Sequence, residues 1–327
     1  MLGASISDIE GHSELFSSLI SSCGIKCREV SKTWRAAFDS GVESIGITHP
    51  DDVSFIGKFG NLRSTKLKCS EAAVQSILEH IQHPLRLTSL SFEVAFAGSP
   101  AVGHLDLNGV AARFSSLTSL NLSRTYLSSQ DIKALASLEK LTSLSIPGKY
   151  HSRRRIYPFW RPALQHPQDL WQLRRLTSLV VASNGDVSSA TVSGITNLAA
   201  LRSLALYRAL DLQNLAGIED LVQLTQLILC ECKNTSMSGV SKLTNLEVLD
   251  LSRCGPLSLD LFSTLQKLKR LDISFSHISR HVYFGMSFIL EKLEVIVLDE
   301  GFHESVIDSI KDMIPASARI EMLPSEA

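Results

Sequence analysis

Nothing in this sequence approaches the run of about eighteen uninterrupted apolar residues that a membrane-crossing helix needs. The opening stretch, MLGASISDIEGHSELF, also lacks the basic segment followed by an apolar core that marks a secretory leader. No membrane spanning and no secretion are expected. Net charge is missing too: Lys and Arg total 32 against 33 Asp and Glu. The molecule as a whole therefore has no electrostatic reason to follow a phosphate backbone or an anionic bilayer, and neither nucleic acid nor membrane is an expected partner. Cysteines are few and scattered, at Cys23, Cys27, Cys69, Cys230, Cys232 and Cys254. A chain of 327 residues that is 44% apolar can bury a core without a disulfide framework. A reducing compartment, cytoplasmic or nuclear, is the expected location.

The phrases that carry chemistry are absent as well. There is no phosphate-cradling glycine loop, no nucleophile elbow and no kinase phrase. His80 with His83, and His277 with His281, have spacings a metal could use on a helix, but neither pair brings the glutamate or further ligands that metal chemistry needs. Cys23 and Cys27 lack a second pair. No enzymatic activity, metal or cofactor is expected.

What the chain does have is repetition. A phrase reading Leu-x-x-Leu-x-apolar recurs at Leu87 (LTSLSF), Leu117 (LTSLNL), Leu141 (LTSLSI), Leu176 (LTSLVV), Leu201 (LRSLAL), Leu224 (LTQLIL), Leu246 (LEVLDL), Leu268 (LKRLDI) and Leu293 (LEVIVL). Its fourth residues are separated by 30, 24, 35, 25, 23, 22, 22 and 25 positions. Two weaker copies precede them, Val42 to Ile47 and Leu62 to Leu67. The fourth and sixth residues of each phrase share one face of a short strand, so they can point inward while their neighbours point out. One such unit cannot bury its apolar face alone, whereas stacked units pair their strands into a parallel sheet over one continuous interior.

A step of roughly 20 to 29 residues with this phrase resembles the leucine-rich repeat. The ninth positions Cys232 (LTQLILCEC) and Cys254 (LEVLDLSRC) resemble its cysteine-containing subclass, in which a small buried side chain with a weak donor covers the turn. LTSLNLSRTYLSSQDIKAL and LKRLDISFSHIS look like threonine or serine variants. The resemblance covers residues 42 to 322. It implies an α/β solenoid with a curved parallel sheet on the concave face and helices on the convex face. One convex helix is expected where Ser128, Ser129, Gln130 and Asp131 lead into Ile132, Leu135 and Leu138, whose spacing is helical. At the end of the chain, the amphipathic Ser305 to Met313, Pro315, and the apolar Ile320 and Met322 read as a C-terminal cap over the last repeat. Residues 41–327 are thus the expected repeat domain.

Residues 1–40 form an expected small helical segment. Leu15, Phe16, Leu19 and Ile20 lie on one helical face after a Ser13 cap, and Val30, Trp34, Ala37 and Phe38 line another. Val30-Ser31-Lys32-Thr33-Trp34-Arg35 followed by a first repeat resembles the end of an F-box, the motif that docks the Skp-type adaptor of a cullin ubiquitin ligase. The usual F-box opening is missing and the interval from Ile20 to Val30 is short, which reads as a degenerate or truncated motif. The resemblance implies that Leu15, Phe16, Leu19, Ile20, Val30 and Trp34 bind the adaptor, and that the solenoid is the substrate receptor of an SCF-type ligase. The alternative is a free-standing scaffold in which these helices only cap the first repeat.

A partner protein is expected at two places. The third, fifth and seventh residues of each phrase face the concave side: small and polar in early repeats (Ser89, Ser91, Ser119, Asn121, Ser143, Ser145), more distinctive later (Tyr207, Gln226, Ile228, Val248, Asp250, Arg270, Asp272, Val295, Val297, Asp299). Tyr and Arg are common interface anchors. The other reading of these positions is a solvated sheet whose Asp and Arg side chains pair with each other. The second place is the long step after Pro147 and Gly148, where a proline should stop the strand. Across 149–171 that insertion carries Arg153, Arg154 and Arg155 with Tyr157, Phe159 and Trp160, a mixture suited to gripping an acidic segment. Alternatively its aromatic rings pack on the solenoid flank while the arginines stay in water.

Overall fold

The computed structural model describes residues 44–47, 61–67, 78–79, 81, 84–93, 106–123, 127–146, 167–182, 187–188, 192–209, 211–233, 235–278 and 288–324. They contain twelve strands: β1 (Ser44–Ile47), β2 (Ser64–Leu67), β3 (Ser89–Glu93), β4 (Ser119–Ser123), β5 (Ser143–Ile146), β6 (Ser178–Ala182), β7 (Ser203–Tyr207), β8 (Gln226–Cys230), β9 (Val248–Asp250), β10 (Arg270–Asp272), β11 (Val295–Asp299) and β12 (Arg319–Leu323). All twelve lie side by side in one parallel sheet, in the order of the sequence. That order requires every connection to make one full turn and land beside its predecessor, which is a solenoid.

Register follows the phrase. Ile45, Thr65, Leu90, Leu120, Leu144, Leu179, Leu204, Leu227, Leu249, Leu271, Ile296 and Ile320 align as one row across the sheet. The nine clear copies supply β3 to β11 and the two weak copies supply β1 and β2. β12 is a twelfth strand where the sequence pattern showed only an apolar stretch of the cap. Leucines at the first, fourth and sixth positions of the clear copies sit inside, as Leu117, Leu120 and Leu122 do, and the buried apolar side chains form one cluster from Leu62 to Met313.

The recurrent threonine of LTSL has a job that leucine periodicity does not reveal. The backbone N–H groups of Thr118 and Ser119 both donate to the Thr88 carbonyl, at 2.8 and 3.0 Å, and the Thr118 hydroxyl donates to it as well, at 3.1 Å. Thr88, Thr142, Thr177 and Thr225 repeat the contact with the preceding unit. These five repeats are thereby pinned to their neighbours just before the strand begins, while Arg202, Glu247, Lys269 and Glu294 at the same position donate through the backbone N–H.

On the outer face the expected helix is present as α2 (Ser129–Ala136), preceded by α1 (Leu107–Arg113). Ser128 and Asp131 form a reciprocal capping box that starts α2. Further along, the outer segments are short 3₁₀ turns at Ser193–Asn197, Ile218–Asp220, Ser238–Lys242 and Leu259–Phe262. Two causes act together. The last three segments lie in steps of 22 or 23 residues, which leave little chain for the return, whereas the first lies in a step of 25; a 3₁₀ turn rises about 2.0 Å per residue against about 1.5 Å for an α-helix. Three of these segments also carry or adjoin a glycine, a poor helix former. A Cβ on Gly194 would lie 2.7 Å from Trp171 Cδ1, and one on Gly239 would lie 2.9 Å from Ile218 Cγ2, so successive turns stack only because no side chain intervenes. After β11 comes α3 (Glu304–Met313), which buries Val306, Ile310 and Met313, and then β12, which pairs with β11.

Candidate partner-binding site

β7 to β10 leave the sheet through the same turn, and the turn explains the ninth-position residues. The Cys254 thiol donates to the Leu229 carbonyl at 2.6 Å, the Cys232 thiol reaches the Leu206 carbonyl at 3.6 Å, and the Ser276 hydroxyl donates to the Leu251 carbonyl at 2.6 Å. These side chains, buried at Cys232 and Cys254 and half-buried at Ser276, satisfy carbonyls that the departing backbone leaves open. Burial pushes the Cys232 thiol up to about 12 and raises that of Cys254 as well.

The concave face changes character along the sheet. From β3 to β5 its third and fifth positions are Ser89, Ser91, Ser119, Asn121, Ser143 and Ser145, all half-buried. From β7 onward larger and charged groups take over. Of the five concave residues singled out as binding candidates, Arg270 is exposed, and Tyr207, Gln226, Asp250 and Asp272 are half-buried. The described structure brings all five to the C-terminal half of one sheet face.

Several of these groups already have internal partners. The Ser203 hydroxyl donates to Gln226 Oε1 at 3.0 Å. Asp250 Oδ1 accepts the Ser252 N–H at 2.8 Å, and Asp272 Oδ1 accepts both the N–H and the hydroxyl of Ser274, at 3.0 and 2.7 Å. These aspartates tie down the end of their own strands. Arg270 reaches over β11 to Glu321 on β12, with 3.4 Å between Nη2 and Oε2. The pairing of acid and base across the sheet is therefore real, but Arg270 takes a glutamate rather than a neighbouring aspartate. Two residues expected on the concave surface are buried instead. Val297, 2% exposed, lies in register between Asp272 and Glu321, beneath that ion pair. Asp299, 6% exposed, is drawn into the following turn, where it accepts the N–H groups of Gly301 and Phe275.

Negative charge gathers at β9 and β10. Burial, and secondarily the Asp250 carboxylate in register beside it, raises the Asp272 carboxyl above the ordinary range despite its hydrogen bonds from Ser274 and the nearby Arg270. Burial and then Asp250 raise the Tyr207 phenol in the same way. A cation brought to this face would relieve that repulsion.

Sequence reading missed the eighth position of the repeat. Arg208, Glu231, Arg253 and Phe275 all adopt left-handed backbone, with φ of 57 to 59°. Side chains other than glycine seldom tolerate this conformation, and it turns these four outward at the rim of the concave face. Arg208 Nε lies 3.2 Å from Glu231 Oε2, and the Arg253 guanidinium sits 4.5 Å from the centre of the Phe275 ring. The available signal was position alone, since each stands directly before the small ninth residue. Leu15, Phe16, Leu19, Ile20, Val30 and Trp34 lie outside the described residues, as do Arg153, Arg154, Arg155, Tyr157, Phe159 and Trp160 of the insertion. Among the described residues no three or more His, Cys, Asp or Glu side chains gather as metal ligands, and no helix is long and apolar enough to cross a membrane.

No protein-family model and no curated protein matches the sequence. Solved structures do match. An internalin from Listeria monocytogenes is 15% identical, covering 89% of this chain and 82% of its own, with a TM-score of 0.48. A second, internalin C2 of the same species, is 18% identical over 68% of this chain and 83% of its own, with a TM-score of 0.44. A leucine-rich-repeat protein of Leptospira interrogans is 15% identical over 90% and 81%, with a TM-score of 0.47. These likenesses concern the fold and carry nothing about what this chain binds. Register, burial and repeated phrase make the chain a leucine-rich-repeat solenoid.

Proposed function

We propose that this chain is a protein-binding module without catalytic chemistry of its own, and that it holds its partner on the C-terminal half of the concave sheet. The observation that carries this reading is the change along one continuous face, from small hydroxyls at β3 to β5 to Tyr207, Ile228, Asp250, Arg270 and Asp272 on β7 to β10. A broad ordered face of this kind offers contact area with little ordering cost, because the strands are already fixed by their neighbours. Within the insertion at 149–171, whose last residues Leu170 and Trp171 are buried in the core, Arg153, Arg154, Arg155, Tyr157, Phe159 and Trp160 are a second contact element in the same proposal.

The finer reading is a substrate-recognition subunit of an SCF-type ubiquitin ligase in the cytoplasm or nucleus. Residues 1–40 dock a Skp-type adaptor through Leu15, Phe16, Leu19, Ile20, Val30 and Trp34, and the ligase chemistry belongs to other subunits. Its support is the F-box-like phrase from Val30 to Arg35 ahead of the first repeat. Co-purification of the full chain with a Skp-type adaptor tests it: binding is expected, and the combined Leu19→Ala and Trp34→Ala variant loses it. Failure of the intact chain to bind any such adaptor removes this reading.

A second reading has its own support. β1 is the first strand of the sheet, and a terminal repeat must cover its open side. If residues 1–40 serve only as that cover, their deletion lowers the melting temperature and solubility and abolishes no adaptor interaction.

A further inference from the structure

Beyond the concave face, the turns that leave β10 and β11 form an open cavity of about 340 Å³ lined by Phe275, Ser276, His277, Asp299, Gly301 and Phe302. From this cavity we infer that the rim of the solenoid receives a basic side chain, lysine or arginine, from the bound partner. The inference rests on the reading of the chain as a protein-binding module and adds to it the chemistry of one contact.

Three observations lead there. Asp299 belongs to the cavity wall yet its residue is 6% exposed, so its carboxylate has little water to stabilise it. Its partners are two neutral backbone donors, the N–H of Gly301 to Oδ1 and that of Phe275 to Oδ2. Among the described residues it forms no ion pair within 4 Å. A carboxylate accepts about four hydrogen bonds, so both oxygens keep capacity for a further donor. The approach is built into the sequence, since a Cβ on Gly301 would lie 2.7 Å from Asp299 Oδ1.

The walls suit a cation for a second reason. Phe275 and Phe302, both half-buried, line the same space, and aromatic faces attract ammonium and guanidinium groups through their quadrupole. Phe275 already holds one cation in this way, because Arg253 stands 4.5 Å from its ring centre. Arg253 is therefore engaged with the ring and does not neutralise Asp299. The left-handed backbone at Phe275, φ 57°, both aims its N–H at the carboxylate and turns its ring to the rim. A buried unneutralised carboxylate, two phenyl rings and a space large enough for the end of one long side chain make a receptor for a positive head on an apolar stem. His277 is exposed at the mouth of the same space.

The test titrates the full-length, isotope-labelled chain with N-acetyl-lysine methylamide at constant ionic strength, following the amide resonances of Phe275 and Gly301. Saturable shifts with a millimolar dissociation constant are expected, as suits one charge-assisted hydrogen bond and one ring contact. The Nε-acetylated form of the same compound, neutral and nearly isosteric, binds at least about tenfold more weakly. Phe302→Leu keeps apolar volume while removing a ring and weakens binding several-fold; Asp299→Asn removes the charge and abolishes the preference for the charged compound. Equal binding of the two compounds, no movement of these two resonances, or unchanged binding in a folded Phe302→Leu variant overturns the inference. If the cavity fails while the partner still binds the concave face, only this contact falls. If the cavity binds lysine and no partner engages the sheet, the module reading falls instead.

Discussion

At the scale of single residues the chain uses small polar side chains to finish what the leucines begin. Cys232, Cys254 and Ser276 stand at one repeat position and satisfy a carbonyl of the preceding unit. Removing the donor leaves that carbonyl buried and unpaired, so Cys254→Ala is expected to cost about 1 kcal/mol in urea unfolding, and Cys254→Ser less, since a hydroxyl still donates. The thiols also couple stability to alkaline pH. In the unfolded chain they ionise near the ordinary value of 9.0, whereas in the native state burial holds Cys232 protonated up to about 12. The native state therefore binds the proton more tightly. Stability is full below pH 9 and falls as pH rises toward 12, by at most about 1.4 kcal/mol per pH unit for each such thiol. Thiol-labelling kinetics check this directly: native Cys232 and Cys254 stay unreactive at pH 8 and react upon unfolding. Rapid labelling of the folded chain would refute it.

At the scale of elements, the inner and outer faces obey different rules, and this sets how far each could be read in advance. The strands were legible because a period of two with leucine at fixed offsets admits one register, and even the weak phrases at Val42 and Leu62 fall into the row through Ile45 and Thr65. The outer segments were less so. SQDIKALA carries its own start signal and becomes α2, while SGVSK and the glycine-adjacent IED take 3₁₀ turns dictated by stacking on the turn below. β12 escaped notice because Ile320 and Met322 lack the leading leucine of the phrase, although they occupy its register. On the candidate binding face, Tyr207, Gln226, Asp250, Arg270 and Asp272 were placed by alternation alone. Alternation could not foresee that Arg270 would cover Val297, or that the turn would claim Asp299, because both depend on neighbouring strands. The α2 start can be tested at this scale. Ser128 accepts the Asp131 N–H while Asp131 accepts from the Ser128 backbone and hydroxyl. Ser128→Ala is expected to lower stability by about 1 kcal/mol in chemical unfolding. A loss below a few tenths would mean that packing of Ile132 and Leu135, rather than the cap, holds the helix in place.

At the scale of the whole molecule, the stacking makes stability depend on how many neighbours a repeat has. A central strand such as β8 is paired on both sides, whereas β12 is paired with β11 alone among the described residues. Leu227 on β8 is completely buried; Ile320, in the same row on β12, is half-buried. Truncation of Leu227 should therefore open a cavity that two adjoining repeats cannot close, while truncation of Ile320 removes fewer contacts from a unit that can relax outward. Leu227→Ala is expected to cost about 3 kcal/mol and Ile320→Ala about 1 kcal/mol. Native-state hydrogen exchange should show the same ordering, with amides of β7 to β9 protected up to the global unfolding energy and those of β12 opening at lower cost. Equal costs for the two substitutions, with uniform protection from β7 to β12, would mean that the solenoid unfolds as one indivisible unit. The nearest-neighbour account would then fail, and with it the expectation that a partner on the C-terminal half stabilises the repeats it touches more than those at β3 to β5.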